Sequence, residues 1–82
     1  MKGRTAVSIT LSEEERTFLK AQFRNPEASR FLSDRCLIIL KCSEGHSNKE
    51  IAEQLGHSQH TVGKWRNRFA QDRIKGLFDR VS

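Results

Sequence analysis

The hydrophobic residues of this chain recur at helical spacing along most of its length. Apolar side chains return every three or four positions, which is typical of amphipathic helices, and no segment keeps the strict alternation of a half-buried strand. The pattern predicts one domain over residues 11–80, preceded by a loose segment over residues 1–10 and ending in a short apolar tail, Leu77 and Phe78, that folds back on the core. Four helices are expected in it, near residues 12–24, 26–44, 48–55 and 59–72.

Local signals define the boundaries of the first two helices. Ser12 followed by Glu15 forms a capping box at the start of the first helix. Pro26 is expected to open the second helix, because the first turn of a helix does not need the N–H that proline lacks. Gly45 is expected to end that helix in a left-handed conformation. The predicted inner faces of the two helices are formed by Leu11, Phe18, Leu19 and Phe23, and by Phe31, Leu32, Cys36, Ile39 and Leu40.

The third and fourth predicted helices follow each other with almost no connection. Ser47 and Glu50 form a second capping box, and Ser58 can cap the fourth helix. Gly56 lies between the helices and can adopt the positive φ that a sharp turn requires. Ala52 is small enough for the next helix to cross close by. This arrangement, over residues 47–70, is that of a helix-turn-helix motif, and it predicts an all-α, four-helix domain with a homeodomain-like three-helix core.

The fourth helix has two chemically different faces. Val62, Trp65 and Phe69 are predicted to face the core, with Trp65 at its centre. The opposite stripe contains a glycine and side chains that donate hydrogen bonds, but no acid: His60, Gly63, Lys64, Asn67 and Gln71. Because glycine in a helix costs ~1 kcal/mol relative to alanine, we interpret Gly63 as a place where DNA approaches closely. An ordinary helical hairpin, with this stripe facing solvent, is the alternative interpretation.

The positive charge is concentrated near the C-terminus. Residues 1–57 contain nine Lys and Arg against eight Asp and Glu, a net charge of +1, whereas residues 58–82 contain six against two, a net charge of +4. Charge gathered on one segment indicates a polyanionic partner, although a solvated basic surface would have the same composition.

Two sets of residues are therefore candidates for contact with double-stranded DNA. Asn and Gln can pair bidentately with adenine, and Lys can donate to guanine. The predicted base-reading residues are Gln59, His60, Gly63, Lys64 and Asn67. Helix N-termini and flanking cations bind phosphates. The predicted phosphate contacts are Ser47, Lys49, Ser58, Thr61 and Arg68, while Arg66 and Arg73 lie nearer the predicted core side.

The cysteines and histidines do not form a recognisable metal or disulfide pattern. Cys36 and Cys42 lie in one predicted helix and point to different sides at ~100° per residue, so they cannot bridge. Buried thiols of a reduced cytosolic protein are the better interpretation. A zinc site would have to be built without CxxC or HxxxH spacing, from Cys42, His46, His57 and His60.

Other function classes receive no support from the sequence. No segment approaches the ~20 apolar residues of a membrane span. The acidic residues are scattered at helix caps and surfaces, and two-metal phosphodiester chemistry needs them to converge. We therefore expect no catalytic residues, no metal or other cofactor, no small-molecule substrate and no membrane, and we predict a cytoplasmic, nucleoid-associated protein.

The segment SNKEIAEQLGHSQHTVGKWRNRFAQDRIKGLFDR resembles the N-terminal DNA-binding domain of bacterial insertion-sequence transposases of the mariner-like superfamily. The similarity extends over roughly residues 11–80. Its specific parts are DRCLIILKCSEGHS, the core EIAxxLGxSxxTVxxWxxRF and the trailing GLFDR. The similar residues are Ile51, Ala52, Leu55, Gly56, Ser58, Thr61, Val62, Trp65, Arg68, Phe69, Gly76, Leu77, Asp79 and Arg80. The resemblance implies that this domain grips the terminal inverted repeats of a transposable element, while a separate carboxylate-rich domain cuts and joins the DNA.

The sequence departs from that family in two places. His57 stands where the family usually has a small aliphatic residue, so the corner of the motif is expected to be looser or partly polar. The chain ends at Ser82, where the family usually continues into a linker and a catalytic domain, so an excised domain, a remnant and a stand-alone regulator all remain open. A small transcriptional regulator would act as a homodimer that reads half-sites ~34 Å apart. A helical protein-interaction module that does not bind DNA is the further alternative.

Overall fold

Residues 8–78 are described by the structure, a computed structural model. The four predicted helices are confirmed: α1 (Glu13–Arg24), α2 (Arg30–Ser43), α3 (Asn48–Leu55) and α4 (Gln59–Asp72), followed by a 3-10 helix (Arg73–Leu77). No strand occurs within residues 8–78. The fold is therefore all-α, as the hydrophobic pattern predicts.

Serine caps begin three of the helices where the sequence predicts them. The hydroxyl of Ser12 accepts the N–H of Glu15 at 3.0 Å, and the Glu15 carboxylate accepts the N–H of Ser12 at 3.0 Å. Ser47 and Glu50 form the same reciprocal pair at the start of α3. The hydroxyl of Ser58 accepts the N–H of Thr61 at 3.1 Å at the start of α4. Each cap satisfies a backbone donor that the helix itself leaves unpaired.

The predicted start of α2 at Pro26 is wrong. The side-chain oxygen of Asn25 accepts the N–H of Glu27 at 2.9 Å, and the Asn25 carbonyl accepts the N–H of Ala28 at 3.1 Å. These bonds close a turn that keeps Pro26 outside the helix. Helix α2 begins four residues later, where the hydroxyl of Ser29 accepts the N–H of Leu32 at 3.0 Å.

The end of α2 follows the prediction. Gly45 has a φ of 97°, in the left-handed region. The N–H of His46 bonds the carbonyl of Lys41 at 3.2 Å, and the N–H of Gly45 bonds that of Cys42 at 3.1 Å. This is a Schellman motif, which satisfies the last carbonyls of the helix and turns the chain sharply into α3.

One hydrophobic core lies between the helices. Trp65 is buried, as predicted, and Leu77 folds back to complete burial, also as predicted. Ile9 is 6% exposed, so the predicted loose segment is wrong at its end, while residues 1–7 lie outside the described part of the chain. The buried residues are Ile9, Leu19, Cys36, Ile38, Ile39, Leu40, Cys42, Ile51, Ala52, Val62, Trp65, Phe69 and Leu77.

The prediction that two phenylalanines lie on the inner faces of α1 and α2 is wrong. Phe23 is 45% exposed, near the end of α1, and Phe31 is 71% exposed, in the first turn of α2. At ~100° per residue Phe31 shares its direction around α2 with the buried Ile38 and Cys42. Phe78, in the predicted tail, is 42% exposed and meets the Phe18 ring edge-on at 6.4 Å between centroids.

Candidate nucleic-acid interface

The turn between α3 and α4 has the geometry that the sequence predicts. Gly56 has a φ of 76°, and the carbonyl of Ala52 accepts the N–H groups of both Gly56 (2.9 Å) and His57 (3.0 Å). His57, predicted to make the corner partly polar, is half-buried with Nε2 3.6 Å from Oδ2 of Asp34 on α2. Helix α4 then starts after Ser58, so only three residues connect α3 to α4.

The inner face of α4 is the predicted one. Val62 and Phe69 are completely buried and Trp65 is nearly so. Arg66 is also buried, and its Nη2 donates to the carbonyl of His46 at 2.8 Å. Arg73 is tied to α1 by two bonds to the Glu15 carboxylate. Arg66 therefore lies toward the core, as predicted, whereas the side chain of Arg73 is 43% exposed and is held against α1 by Glu15.

The outer face of α4 forms a polar stripe without acids. His60, Lys64 and Asn67 are exposed, together with Gln59 in the first turn and Gln71 near the end. We call His60, Lys64, Asn67 and Gln71 the outer stripe. The structure thus places four of the five predicted base-reading residues on accessible positions, and their contact with bases stays a prediction.

Gly63, the fifth of these residues, has a different environment. It is half-buried, and a Cβ at this position would lie 3.3 Å from Nδ2 of Asn48, the first residue of α3. That distance is tighter than an ordinary van der Waals contact. The absence of a side chain at Gly63 therefore serves the close crossing of α3 and α4, a reason that the sequence interpretation missed.

One flank of the outer stripe is an open groove at the start of α3. The groove brings together three of the predicted contact residues, Ser47, Lys49 and Gln59, and it is also lined by Asn48, His46 and Arg66. The first turn of a helix leaves backbone N–H groups without partners within the helix, and such groups favour a phosphate oxygen. Ser58 and Thr61 begin the neighbouring helix, but the Ser58 hydroxyl already donates to Oγ1 of Thr61 at 3.0 Å.

The other flank is a cluster of cations around Trp65. The Arg35 guanidinium lies 4.1 Å from the ring centroid, the Lys64 ammonium 5.0 Å and the Arg68 guanidinium 5.3 Å. Arg35 also donates from Nη1 to the carbonyl of Leu77 at 3.0 Å. The sequence interpretation missed Arg35, because it lies thirty residues before Trp65 and no local pattern connects the two.

The groove and the cation cluster lie on opposite sides of the outer stripe of α4. Gln59 and Arg68 are nine residues apart, which at ~100° per residue places them half a turn from each other. An α-helix with its side chains is ~10–12 Å wide, about the width of the DNA major groove. The outer stripe can therefore face base edges while the flanking donors and cations face the two phosphate strands.

The thiols and the candidate zinc ligands do not form a reactive site. Burial raises the pKa of the Cys36 thiol to about 11. Burial also raises the pKa of Cys42, opposed by the neighbouring Arg66. Within residues 8–78 no three His, Cys, Asp or Glu side chains converge on a metal site, so Cys42, His46, His57 and His60 are not brought together.

Comparison with known families agrees with this geometry. Residues 35–82 match the family model described as a winged helix-turn helix, which is more than half of the chain. The chain belongs to this family. The winged helix-turn-helix domain is a DNA-binding domain found in transposases and regulators. Membership of this family indicates that the partner of the chain is DNA. No curated protein and no solved structure is significantly similar to the chain.

No wing is seen after α4 in the described part of the chain, and the family match does not cover the whole domain. The position after α4, where a wing would follow, is taken by the 3-10 helix Arg73–Leu77, and residues 8–78 contain no strand. Asp79 and Arg80, which the resemblance to transposases includes, lie outside the described residues. The match begins at Arg35, so α1 and the first turn of α2 lie outside it. Across residues 8–78 no helix is long and apolar enough to cross a membrane.

Proposed function

We propose that this domain binds double-stranded DNA sequence-specifically, with α4 in the major groove. The observation that carries the proposal is the outer stripe: an exposed, acid-free row of hydrogen-bond donors on the second helix of a helix-turn-helix motif. Direct readout requires such donors and acceptors at base edges. The groove at Ser47 and Lys49 and the cation of Arg68 supply the contacts that hold the helix in register.

The geometry favours Asn67 over Lys64 as the principal reader. Asn67 is exposed on the outer stripe. The Lys64 ammonium is attracted to the Trp65 ring at 5.0 Å, and an exposed cation–π contact is worth ~0.5–1 kcal/mol. Lys64 must give up that contact to reach a base, which reduces its net contribution to specificity.

We further propose that the natural target is the terminal inverted repeat of a transposable element. Support comes from the resemblance of residues 11–80 to the N-terminal domains of mariner-like transposases, and from the family's occurrence in transposases. In that interpretation this domain supplies DNA recognition and no catalysis. It would act in the cytoplasm, bound to the nucleoid.

The phosphate grip is tested by measuring DNA affinity at several salt concentrations. Each phosphate that a cation neutralises contributes about −0.9 to the slope of log K against log salt concentration on B-DNA. Arg68→Ala is expected to weaken binding to all sequences alike and to reduce the magnitude of the slope by about one. Arg30→Ala, which removes one exposed charge from the start of α2, is the matched control and should leave the slope unchanged on a single-site duplex.

The results separate the two parts of the proposal. An unchanged slope for Arg68→Ala removes Arg68 from the interface, and absence of binding by the parent chain at low salt contradicts DNA binding altogether. The transposon assignment is tested by comparing the sequence that the protein selects with the DNA on both sides of its gene. If the selected sequence does not occur there as an inverted pair, the assignment to transposon ends is wrong while DNA binding stands.

A further inference from the structure

Helix α1 has no part in the proposed DNA contacts. It lies before the residues that match the winged helix-turn-helix family, and it packs mainly on α2. Leu19 is its fully buried residue, and the side of α1 away from Leu19 is open along the whole helix. The proposed DNA binding therefore gives no role to the outer side of α1.

The outer side of α1 has charges of opposite sign at its two ends. Six of its seven exposed residues fall within an arc of ~120° around the helix, and the seventh, Phe23, lies to one side of that arc. In chain order the six are Glu13, Glu14, Thr17, Lys20, Ala21 and Arg24, which we call the α1 face. The acidic pair stands at the N-terminus and the basic pair at the C-terminus, with Thr17 between the two pairs and Ala21 between Lys20 and Arg24. Within residues 8–78 none of the four charges takes part in an ion pair.

The basic end of the α1 face borders an apolar groove. Phe23, which is 45% exposed, forms its floor with Leu37 and Leu40. The cations Lys20, Arg24 and Lys41 surround this floor, with Glu44 as the acidic neighbour. The helix dipole alone explains acids at the start and bases at the end of a helix. It does not explain an exposed aromatic residue in a groove bordered by cations.

We propose that the α1 face is the interface with a second copy of this chain, packed antiparallel about a two-fold axis near Thr17. An interface of this symmetry must be complementary to itself. Antiparallel packing places Glu13 and Glu14 of each copy beside Lys20 and Arg24 of the other. A parallel arrangement would bring like charges together. Thr17 and Ala21 are small, so the two helices can approach closely at the axis.

The same arrangement accounts for the groove at Phe23. The start of the second copy's α1 lies over the basic end of the first, where its Glu13 and Glu14 meet the cations that border the groove and the helix itself covers Phe23. This chemistry fits an apolar floor bordered by cations. Because α1 packs mainly on α2, each copy keeps its outer stripe on α4 free for DNA.

The test is the oligomeric state of the chain in the absence of DNA, measured by sedimentation equilibrium. The wild-type chain is expected to form a dimer that weakens as salt rises, since the Debye length falls from ~10 Å at about 0.1 M to ~3 Å at about 1 M. The dimer does not depend on DNA binding, so its absence would overturn this proposal without affecting the proposed function.

Charge reversal identifies the surface. One variant carries Glu13→Lys and Glu14→Lys, and a second carries Lys20→Glu and Arg24→Glu. Each alone should dimerise at least ~10-fold more weakly, because attractive pairs become repulsive. An equimolar mixture should form a dimer with one copy of each. Glu53→Lys, an exposed reversal on α3, is the control and should dimerise like the wild-type chain.

A wild-type chain that is monomeric at every concentration, or charge variants that dimerise as strongly as it does, would overturn the proposal. Circular dichroism checks that the variants are folded. If they are not, Phe23→Ala tests the same surface with little effect on the fold, because Phe23 is already 45% exposed. It is expected to weaken dimerisation, and unchanged dimerisation by a folded Phe23→Ala chain would overturn the proposal as well.

Discussion

Arg73 has an unfavourable backbone conformation and a side chain that several hydrogen bonds hold in place. Within residues 8–78 it is the non-glycine residue with a positive φ, 58°, and such conformations cost ~1–3 kcal/mol. Its Nε donates to Glu15 Oε2 at 2.9 Å, its Nη2 donates to Glu15 Oε1 and the Thr10 carbonyl at 2.7 Å each, and its guanidinium lies 4.5 Å from the Phe69 ring centroid. These contacts offset the strain and direct the chain from α4 into the 3-10 helix.

The pairing of Glu15 with Arg73 predicts a pH dependence of stability. The hydrogen bonds from Arg73, helped by the backbone N–H of Ser12, hold the pKa of Glu15 below its ordinary value of 4.5. A lowered folded-state pKa means that the stabilisation is complete above the ordinary value and is lost as pH falls through the lowered one. Thermal or urea unfolding from neutral to acidic pH should show this loss.

Glu15→Gln is expected to lower the free energy of unfolding at neutral pH by ~1–3 kcal/mol, since a hydrogen-bonded charge pair is lost. It should also flatten the acidic limb of the stability profile. Glutamine can still complete the capping box with Ser12, so the helix start is retained. Glu53→Gln, at an exposed position on α3 outside its first turn, should leave both quantities unchanged. An acidic limb as steep as that of the wild-type chain would show that Glu15 does not cause it.

Residue-level prediction from sequence succeeded where the cause is local. The capping boxes at Ser12 and Ser47 and the left-handed Gly45 and Gly56 follow from the types of neighbouring residues. The bond between Glu15 and Arg73 could not be predicted in this way, because 58 positions separate the two residues and only the packed fold brings them together.

At the scale of elements, the crossing of α3 and α4 depends on Gly63 and Asn48. A Cβ on Gly63 would lie 3.3 Å from Asn48 Nδ2. The Asn48 Oδ1 atom is buried and has no hydrogen-bond partner in the structure. A glycine in a helix interior is disfavoured by ~1 kcal/mol relative to alanine. At position 63 the limited space at the crossing favours glycine, whereas helix propensity favours alanine.

A double-mutant cycle measures that opposition. In an Asn48→Ala background, Gly63→Ala is expected to raise the free energy of unfolding by ~0.5–1 kcal/mol, because only the propensity gain remains. In the wild-type background the same change should gain less or destabilise, because the Asn48 amide must move. Urea unfolding of the four chains gives the coupling directly. Equal effects in both backgrounds would show that Asn48 does not restrict position 63.

Helical periodicity predicted the position and inner face of a helix more reliably than it predicted which side chains other elements bury. The inner face of α4 was predictable, because Val62, Trp65 and Phe69 share one direction. Phe23 and Phe31 were not, since a periodic pattern gives a side chain's direction and not the presence of another element in front of it. Likewise, the cation cluster at Trp65 needs α2 and α4 packed together before Arg35 meets Lys64 and Arg68.

At the scale of the whole molecule, the two proposed surfaces belong to different helices. The outer stripe is on α4 and the α1 face is on a helix that packs mainly on α2. One domain with a Cα radius of gyration of 12.3 Å presents one proposed recognition helix, and a single helix in the major groove reads a few base pairs. Pairing through α1 would join two such readers, and the selected DNA would then contain two half-sites related by symmetry.

The central claim is that the outer stripe of α4 specifies DNA sequence. Selection of binding sites from a randomised duplex library tests it most directly, with the parent chain, Asn67→Ala and Lys64→Ala run in parallel. We expect the parent to select a defined sequence and each variant to relax the preference at particular positions. Each should lose ~1–3 kcal/mol on the parent's site, with Asn67→Ala losing more, and much less on random DNA. Recovery of the same sequence with the same stringency by both variants would contradict the claim, because α4 would then hold DNA without reading it.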